Sequence, residues 1–136
     1  TFDCTGVWES PNVVFKPWCI SGKDEVIDGR MYKKLSTVMR ELDIPRVELL
    51  KMDIEGYEWS ALPSILDDIT AENAPSQISI EMHSVGLESD SIYVYKYADL
   101  FLKLFDAGYV IAVKERNYFC AVCCEFVLVK PEHYET

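Results

Sequence analysis

Apolar and polar residues come in blocks along this chain, and the period changes from block to block. Residues 13–21, VVFKPWCIS, form a β-rich run in which Pro17 marks an edge or a bulge, because proline has no N–H to give to a ladder. Upstream, TFDCT (1–5) reads as the end of an earlier strand. Downstream, GKDEVIDGR (22–30) reads as a polar turn region. Between 31 and 43 the apolar residues Met31, Leu35, Val38, Met39 and Leu42 fall at helical spacing, and Pro45 stops the helix. VELLKMDI (47–54) predicts a buried strand, and residues 58–69 a helix with Pro63 tolerable near its first turn or at a kink. Residues 76–83 predict another strand, and 95–108 an amphipathic helix closed by Gly108. The runs 109–117 and 123–130 are the last two strands, close enough for a hairpin.

Strands and helices alternate until that closing pair. The pattern predicts an α/β fold whose sheet is mostly parallel, with an antiparallel strand pair at its C-terminal end. Sheets of this kind bind ligands beyond the carboxyl ends of their strands. Asp3, then Asp53 with Glu55, then Glu81 with His83, fall at three such ends, so this edge is the candidate site.

Composition narrows the partners. At 136 residues the chain is expected to form a single domain, 1–136, large enough for its own core. A formal charge of -10 argues against a nucleic-acid partner, since phosphate binding needs a basic surface. No apolar run is long enough to span a bilayer, and the opening TFDCTGVWES does not read as a signal peptide. The five cysteines, Cys4, Cys19, Cys120, Cys123 and Cys124, are expected to be reduced structural residues rather than a zinc site, because the CxxCC run lacks a second ligand pair. A disulfide stays open, and an odd count then leaves at least one thiol over.

Each charged residue has two readings. Asp53 suits a carboxylate that orients a nucleophile, accepts its proton or favours a nearby positive charge, or else an N-cap for the helix that begins near Tyr57. Glu55 is open in the same way, whereas Glu58 is expected to be only an acid in a first helical turn, where it suits the helix dipole. Lys51 shares a side with Asp53 and, if buried, needs Glu81 or Glu125 as a partner. His83 reads as a general base or a ligand. Together with Asp53 and Glu81 it offers donors for a hard metal, but the pattern is not metal-specific and no metal is assigned. Trp8, Trp18, Trp59 and the tyrosines suit a pocket wall or plain packing. The loop SVGLESDSIYVYKY (84–97), with Tyr93, Tyr95 and Tyr97, is the lid candidate.

At these residues the chain resembles a known family. KMDIEGYEWSAL (51–62) resembles the K-(I/M)-D-(I/V)-E-G-x-E signature of the FkbM-like methyltransferases, and IEMH (80–83) and LFLKLFDAGYVI (100–111) resemble their following strand and last helix. FDCT (2–5), WC (18–19) and RNYFCAVCCEFVLVK (116–130) resemble the animal methyltransferase-like branch of that group. The resemblance implies the class I Rossmann-like fold and S-adenosylmethionine as cofactor. It implies that Asp3 holds the ribose hydroxyls, that Ser21 and Gly22 pass the adenine, and that Asp53 faces the cofactor's ammonium group or the substrate. Asp53, Glu55 and His83 are then the catalytic candidates. The implied reaction is O-methylation of a small-molecule or glycan hydroxyl.

No GxG-type loop occurs in the 136 residues. The resemblance therefore implies that the family's first strand, glycine loop and first helix lie upstream of Thr1, and that the absent strand is central, exposing strand edges. The alternative function is a catalytically inactive, truncated Rossmann-like domain that serves as an interaction module. A different nucleotide-binding enzyme has no phosphate-binding loop to support it.

Overall fold

The computed structural model describes residues 1–7, 9–84 and 92–131. In chain order the elements are β1 (Trp18–Ile20), β2 (Glu25–Ile27), β3 (Arg30–Lys33), α1 (Leu35–Glu41), β4 (Leu49–Met52), α2 (Glu58–Asp68), β5 (Gln77–His83), α3 (Ile92–Asp106), β6 (Val110–Arg116) and β7 (Cys123–Val129). Two sheets result, one of three strands in the order β1-β3-β2 and one of four in the order β4-β5-β7-β6. The fold of the described residues is α/β, with three helices and mixed sheets.

The expectation of a mostly parallel sheet needs correction. Among the strands of the described residues, only β1 with β3 and β4 with β5 run parallel; β2 with β3, β5 with β7 and β6 with β7 are antiparallel. The expected hairpin of β6 and β7 forms, and β7 inserts between β5 and β6, which makes the antiparallel pairings the majority. The second source is a hairpin within the stretch expected to be a polar turn. Asp28 (φ 50°) and Gly29 (φ 77°) take successive left-handed conformations between β2 and β3, as a tight two-residue hairpin turn requires. Met31, Tyr32 and Lys33 therefore belong to β3, and α1 is shorter than the helix expected over 31–43.

The N-terminal stretch departs further. Residues 1–5 make no strand beyond a single parallel bridge from Phe2 to Lys16. The chain bends instead, because one carboxylate oxygen of Asp3 accepts hydrogen bonds from the Thr5 amide at 2.7 Å, the Thr5 hydroxyl at 2.7 Å and the Gly6 amide at 3.2 Å. Pro17 stands just before β1, where its missing N–H costs no ladder bond. Helix α3 starts one turn earlier than expected, so Tyr95 and Tyr97 are helical. The core of the lid candidate, residues 85–91, lies outside the described residues.

The core gathers on one face of the four-stranded sheet. Ile78, Ile80 and Met82 of β5 and Phe126 and Leu128 of β7 pack with Leu62 and Ile65 of α2 and Leu100 and Leu104 of α3. Helix α3 ends as expected: Gly108 is left-handed at φ 89°, and the Tyr109 amide reaches back to the Leu104 carbonyl. Strict alternation along β5 sends Ser79, Glu81 and His83 to the other side. Among the described residues β4 pairs on one side only, with β5, and no helix is long and apolar enough to cross a membrane.

The cysteines also depart from expectation. Cys4 pairs with Cys19 and Cys120 with Cys123, and Cys124 stays a thiol, pushed above its ordinary pKa mainly by burial. Each pair is brought close by backbone neighbours, with Cα–Cα distances of 4.9 and 5.3 Å.

Candidate functional site

The exit of β4 is the first component. Asp53 follows the strand, and the Ile54–Tyr57 turn comes next, closed by the Tyr57 amide on the Ile54 carbonyl. Glu55 (φ 56°) and Gly56 (φ 101°) are both left-handed there. A non-glycine residue in that region is strained and needs support from its surroundings. The support comes from Glu58, whose two carboxylate oxygens accept the Ile54 and Gly56 amides, each at 2.9 Å.

Glu58 is the first-turn acid of α2, as expected, but that is not its whole role. It is fully buried, and the oxygen that binds the Ile54 amide also lies 3.0 Å from Nδ1 of His83. Its place in the site was missed because a carboxylate two residues after a turn glycine looks like a helix-dipole acid from sequence. The available signal was the reach-back geometry common to acids in a first helical turn. Tyr57, which occupies the N-cap position, offers no side-chain cap, so Asp53 is not the cap either.

His83 ends β5, 6% exposed. With Nδ1 on Glu58, its Nε2 points among three further carboxylates: Glu55 at 3.5 Å, Asp53 at 3.8 Å and Glu81 at 4.0 Å. Burial alone would lower the imidazole pKa, but the Glu58 hydrogen bond and the charges of Glu58, Glu55 and Glu81 outweigh it and hold the pKa above its ordinary value. Trp59 fixes the same strand end by donating its indole N–H to the His83 carbonyl at 2.7 Å.

Glu81 is buried and accepts a hydrogen bond from Asn117 at 2.6 Å. It lies opposite Glu125 across the β5–β7 ladder. Burial, reinforced by the Glu81 charge, pushes the Glu125 carboxyl above its usual range, and Lys51 partly offsets this. Lys51 itself is exposed on the edge strand β4, so the expected buried pairing with Glu81 does not arise, and Asn117 holds Glu81 instead.

Beside this cluster lies an open cavity of about 520 Å³. One wall is the N-terminal bend with Asp3 and Cys4, a second is β1 and β3 with Trp18, Ile20 and Tyr32, and the third is the β4 exit with Asp53, Glu55 and Tyr57. The structure thus brings Asp3, Asp53 and Glu55 around one cavity, with His83 behind Asp53 and Glu55. Ser21 and Gly22 are not in its lining. Ser21 is buried with its amide on the Lys33 carbonyl, and Gly22 packs against the start of α2, its amide 3.3 Å from the Ser60 hydroxyl. The cavity's volume is in the range of small-molecule sites. Its walls carry carboxylate oxygens and aromatic faces.

Residues 25–111 match the family model of the methyltransferase FkbM domain. The match takes in Asp53, Glu55, Glu58, Glu81 and His83, whereas Asp3, Ser21 and Gly22 lie outside it. Among curated proteins none matches the chain significantly. Because the matched stretch covers well over half of the 136 residues, the chain belongs to the FkbM methyltransferase domain family.

Proposed function

We propose that this protein is an S-adenosylmethionine-dependent methyltransferase, with a sheet of the Rossmann-like class I kind, that methylates a hydroxyl of a small molecule or glycan. The observation that carries the reading is the cavity shared by Asp3 on one wall and Asp53 and Glu55 on the other, with His83 adjoining. One oxygen of Asp3 is taken up by Thr5 and Gly6, and those bonds, against slight desolvation, hold its carboxyl below the usual range. The second oxygen is left to accept from ribose hydroxyls. Ser21 and Gly22 lie outside the cavity lining and act indirectly, by anchoring the end of β1 that carries Ile20 of its wall.

Bound S-adenosylmethionine supplies a methyl group already activated on a sulfonium. The chain's own residues then have positioning work to do. Asp53 favours the positive charge in the cavity and, with Glu55 and His83, forms the side toward which the acceptor hydroxyl gives up its proton.

Calorimetric titration of S-adenosylhomocysteine into the protein tests this reading. Saturable one-to-one binding that Asp3→Ala weakens at least tenfold, with the variant still folded by circular dichroism, supports it. Absence of binding by a well-folded form extended upstream to include the glycine-loop segment removes the enzyme reading and leaves the interaction module.

A further inference from the structure

We propose that the Cys120–Cys123 disulfide is a thiol-exchange site, opened by a small-molecule thiol of the glutathione class that attacks Cys120 while His83 protonates the departing Cys123. The inference goes beyond methyl transfer and does not depend on the cofactor reading.

The bond is placed so that it can open without unfolding the chain. It lies in the turn between β6 and β7, with a sequence separation of 3 against 15 for Cys4–Cys19. A cross-link stabilises a fold less as the loop that it closes shortens. The turn is also held by other bonds. The Cys123 amide donates to the Cys120 carbonyl, the Ser84 amide to the Val122 carbonyl, and the Phe119 amide to the Asn117 side chain. Beyond the turn, Arg116 pairs with Cys124 and the ladder continues to Val110 and Val129.

The surroundings choose which sulfur is attacked. Cys120 is half-buried and follows Tyr118 and Phe119, both almost fully exposed, whereas Cys123 is buried. An incoming thiolate therefore reaches Cys120, and Cys123 is the sulfur that leaves. Cys124 does not substitute for that thiolate. Alternation along β7 turns it to the opposite face from Cys123, and its thiol donates to the Glu115 carbonyl at 3.3 Å. Burial pushes its pKa up, which keeps it a weak nucleophile.

The leaving sulfur meets a proton donor. Cys123 stands opposite His83 in the β5–β7 ladder, and its sulfur, a ring nitrogen of His83 and a carboxylate oxygen of Glu81 lie within 4.8 Å of one another. A thiolate released beside the buried Glu81 is opposed by that charge, so its departure calls for a proton. His83 is the group that holds one: the carboxylates of Glu58, Glu55 and Glu81 favour its charged form, and Asp53 lies 3.8 Å from Nε2 on the same side as Glu55.

The exchange balances in two steps. The thiolate bonds to the Cys120 sulfur, the Cys120–Cys123 bond breaks, and the Cys123 sulfur takes the electron pair and the His83 proton. A second thiolate then displaces Cys120 from the mixed disulfide. Two small thiols are oxidised to one disulfide, the protein disulfide is reduced to two thiols, and His83 regains its proton from water past the exposed Glu55 side chain.

The test equilibrates the protein with mixtures of reduced and oxidised glutathione, blocks free thiols with N-ethylmaleimide and reads each cysteine by peptide mass spectrometry. Cys4–Cys19 is the internal control, since it too joins a half-buried cysteine to a buried one. The expected result is that Cys120–Cys123 opens in mixtures at least about tenfold less reducing than Cys4–Cys19 requires, with the circular dichroism unchanged. In kinetic runs His83→Gln slows this opening at least about fivefold and leaves the Cys4–Cys19 rate alone. Opening of both disulfides together overturns the proposal, as does loss of the fold when Cys120–Cys123 opens, or a rate that His83→Gln leaves unchanged. The two bonds are compared in the parent chain, so that comparison decides even if the variant fails to fold. None of these readouts involves S-adenosylhomocysteine, so failure here and failure of the methyltransferase reading are separate results.

Discussion

One oxygen of Glu58 lies 3.0 Å from Nδ1 of His83 and 2.9 Å from the amide of Ile54, so a single buried carboxylate joins the end of β5 to the exit of β4. The second oxygen holds the Gly56 amide, and the strained Glu55–Gly56 turn rests on both bonds. Removing the carboxylate leaves two backbone donors and a buried imidazole without their partner. Glu58→Ala is therefore expected to cost about 3 kcal/mol or more. Glu58→Gln, which keeps one acceptor oxygen, is expected to cost less. Urea unfolding of the two variants checks both the size and the order; a loss in Glu58→Ala below about 1 kcal/mol would show that the carboxylate does not support this turn.

Gly22 gives a second prediction, steric rather than electrostatic. A Cβ built there would stand 2.3 Å from the Ser60 carbonyl oxygen and 2.8 Å from its carbon, and neither backbone atom can swing away. Gly22→Ala is expected to push β1 from the start of α2 at a cost of about 1–3 kcal/mol. It should also weaken S-adenosylhomocysteine binding, because Ile20 of the cavity wall is two residues away. An unchanged urea midpoint would mean that this approach is looser than described.

These two residues also mark where sequence reading stops. The strands β5 and β7 and the helices α2 and α3 were legible because each carries several turns or alternations of apolar residues in one period. The β2–β3 hairpin carried an equally local signal, the Asp28–Gly29 pair between EVI and RMYK. It was hidden because Met31 stands four residues before Leu35 and so completes a helical stripe. At the site, Asp53, Glu55 and His83 were legible as acids and a histidine at strand ends. The burial of Glu58 was not, because its partner His83 is 25 residues away in sequence. Cysteine pairing was illegible for the same reason, since spacing alone does not choose partners.

The Cys4–Cys19 disulfide supplies a third prediction. Both residues line the cavity, and Cys4 is next to Asp3, in a segment otherwise attached to the sheet by the Phe2–Lys16 bridge and a few backbone bonds. The bond closes a loop of 15 residues, which in the chain-entropy picture stabilises the fold by about 3 kcal/mol. Cys4→Ser with Cys19→Ser is expected to lose that amount in urea unfolding and to bind S-adenosylhomocysteine more weakly, as the Asp3 bend is released. Equal stability of the variant and the parent, both without reductant, would show that the two thiols are not joined.

The last prediction concerns pH and α1. Lys34, at the N-cap position, gives no side-chain cap, and the helix start is capped from outside by Asp24. One oxygen of Asp24 accepts the Lys34 amide at 2.8 Å and the other accepts the Thr37 hydroxyl at 2.6 Å. Slight burial works to raise the Asp24 pKa, but these two bonds and the charges of Lys34 and Arg40 outweigh it, and the folded value lies below 3.8. A carboxyl whose pKa is depressed on folding binds fewer protons in the native state than in the unfolded one. Its stabilisation is therefore complete above the unfolded pKa and disappears as pH falls through the folded one. Asp24→Asn is expected to lose about 1 kcal/mol at neutral pH, the usual worth of a helix cap. The difference from the parent should narrow as the pH drops below about 4, where the parent's own carboxyl begins to protonate. Unfolding curves of both proteins between neutral pH and pH 3 decide it, and a gap that stays constant or widens on acidification would mean that the charge of Asp24 is not what caps α1.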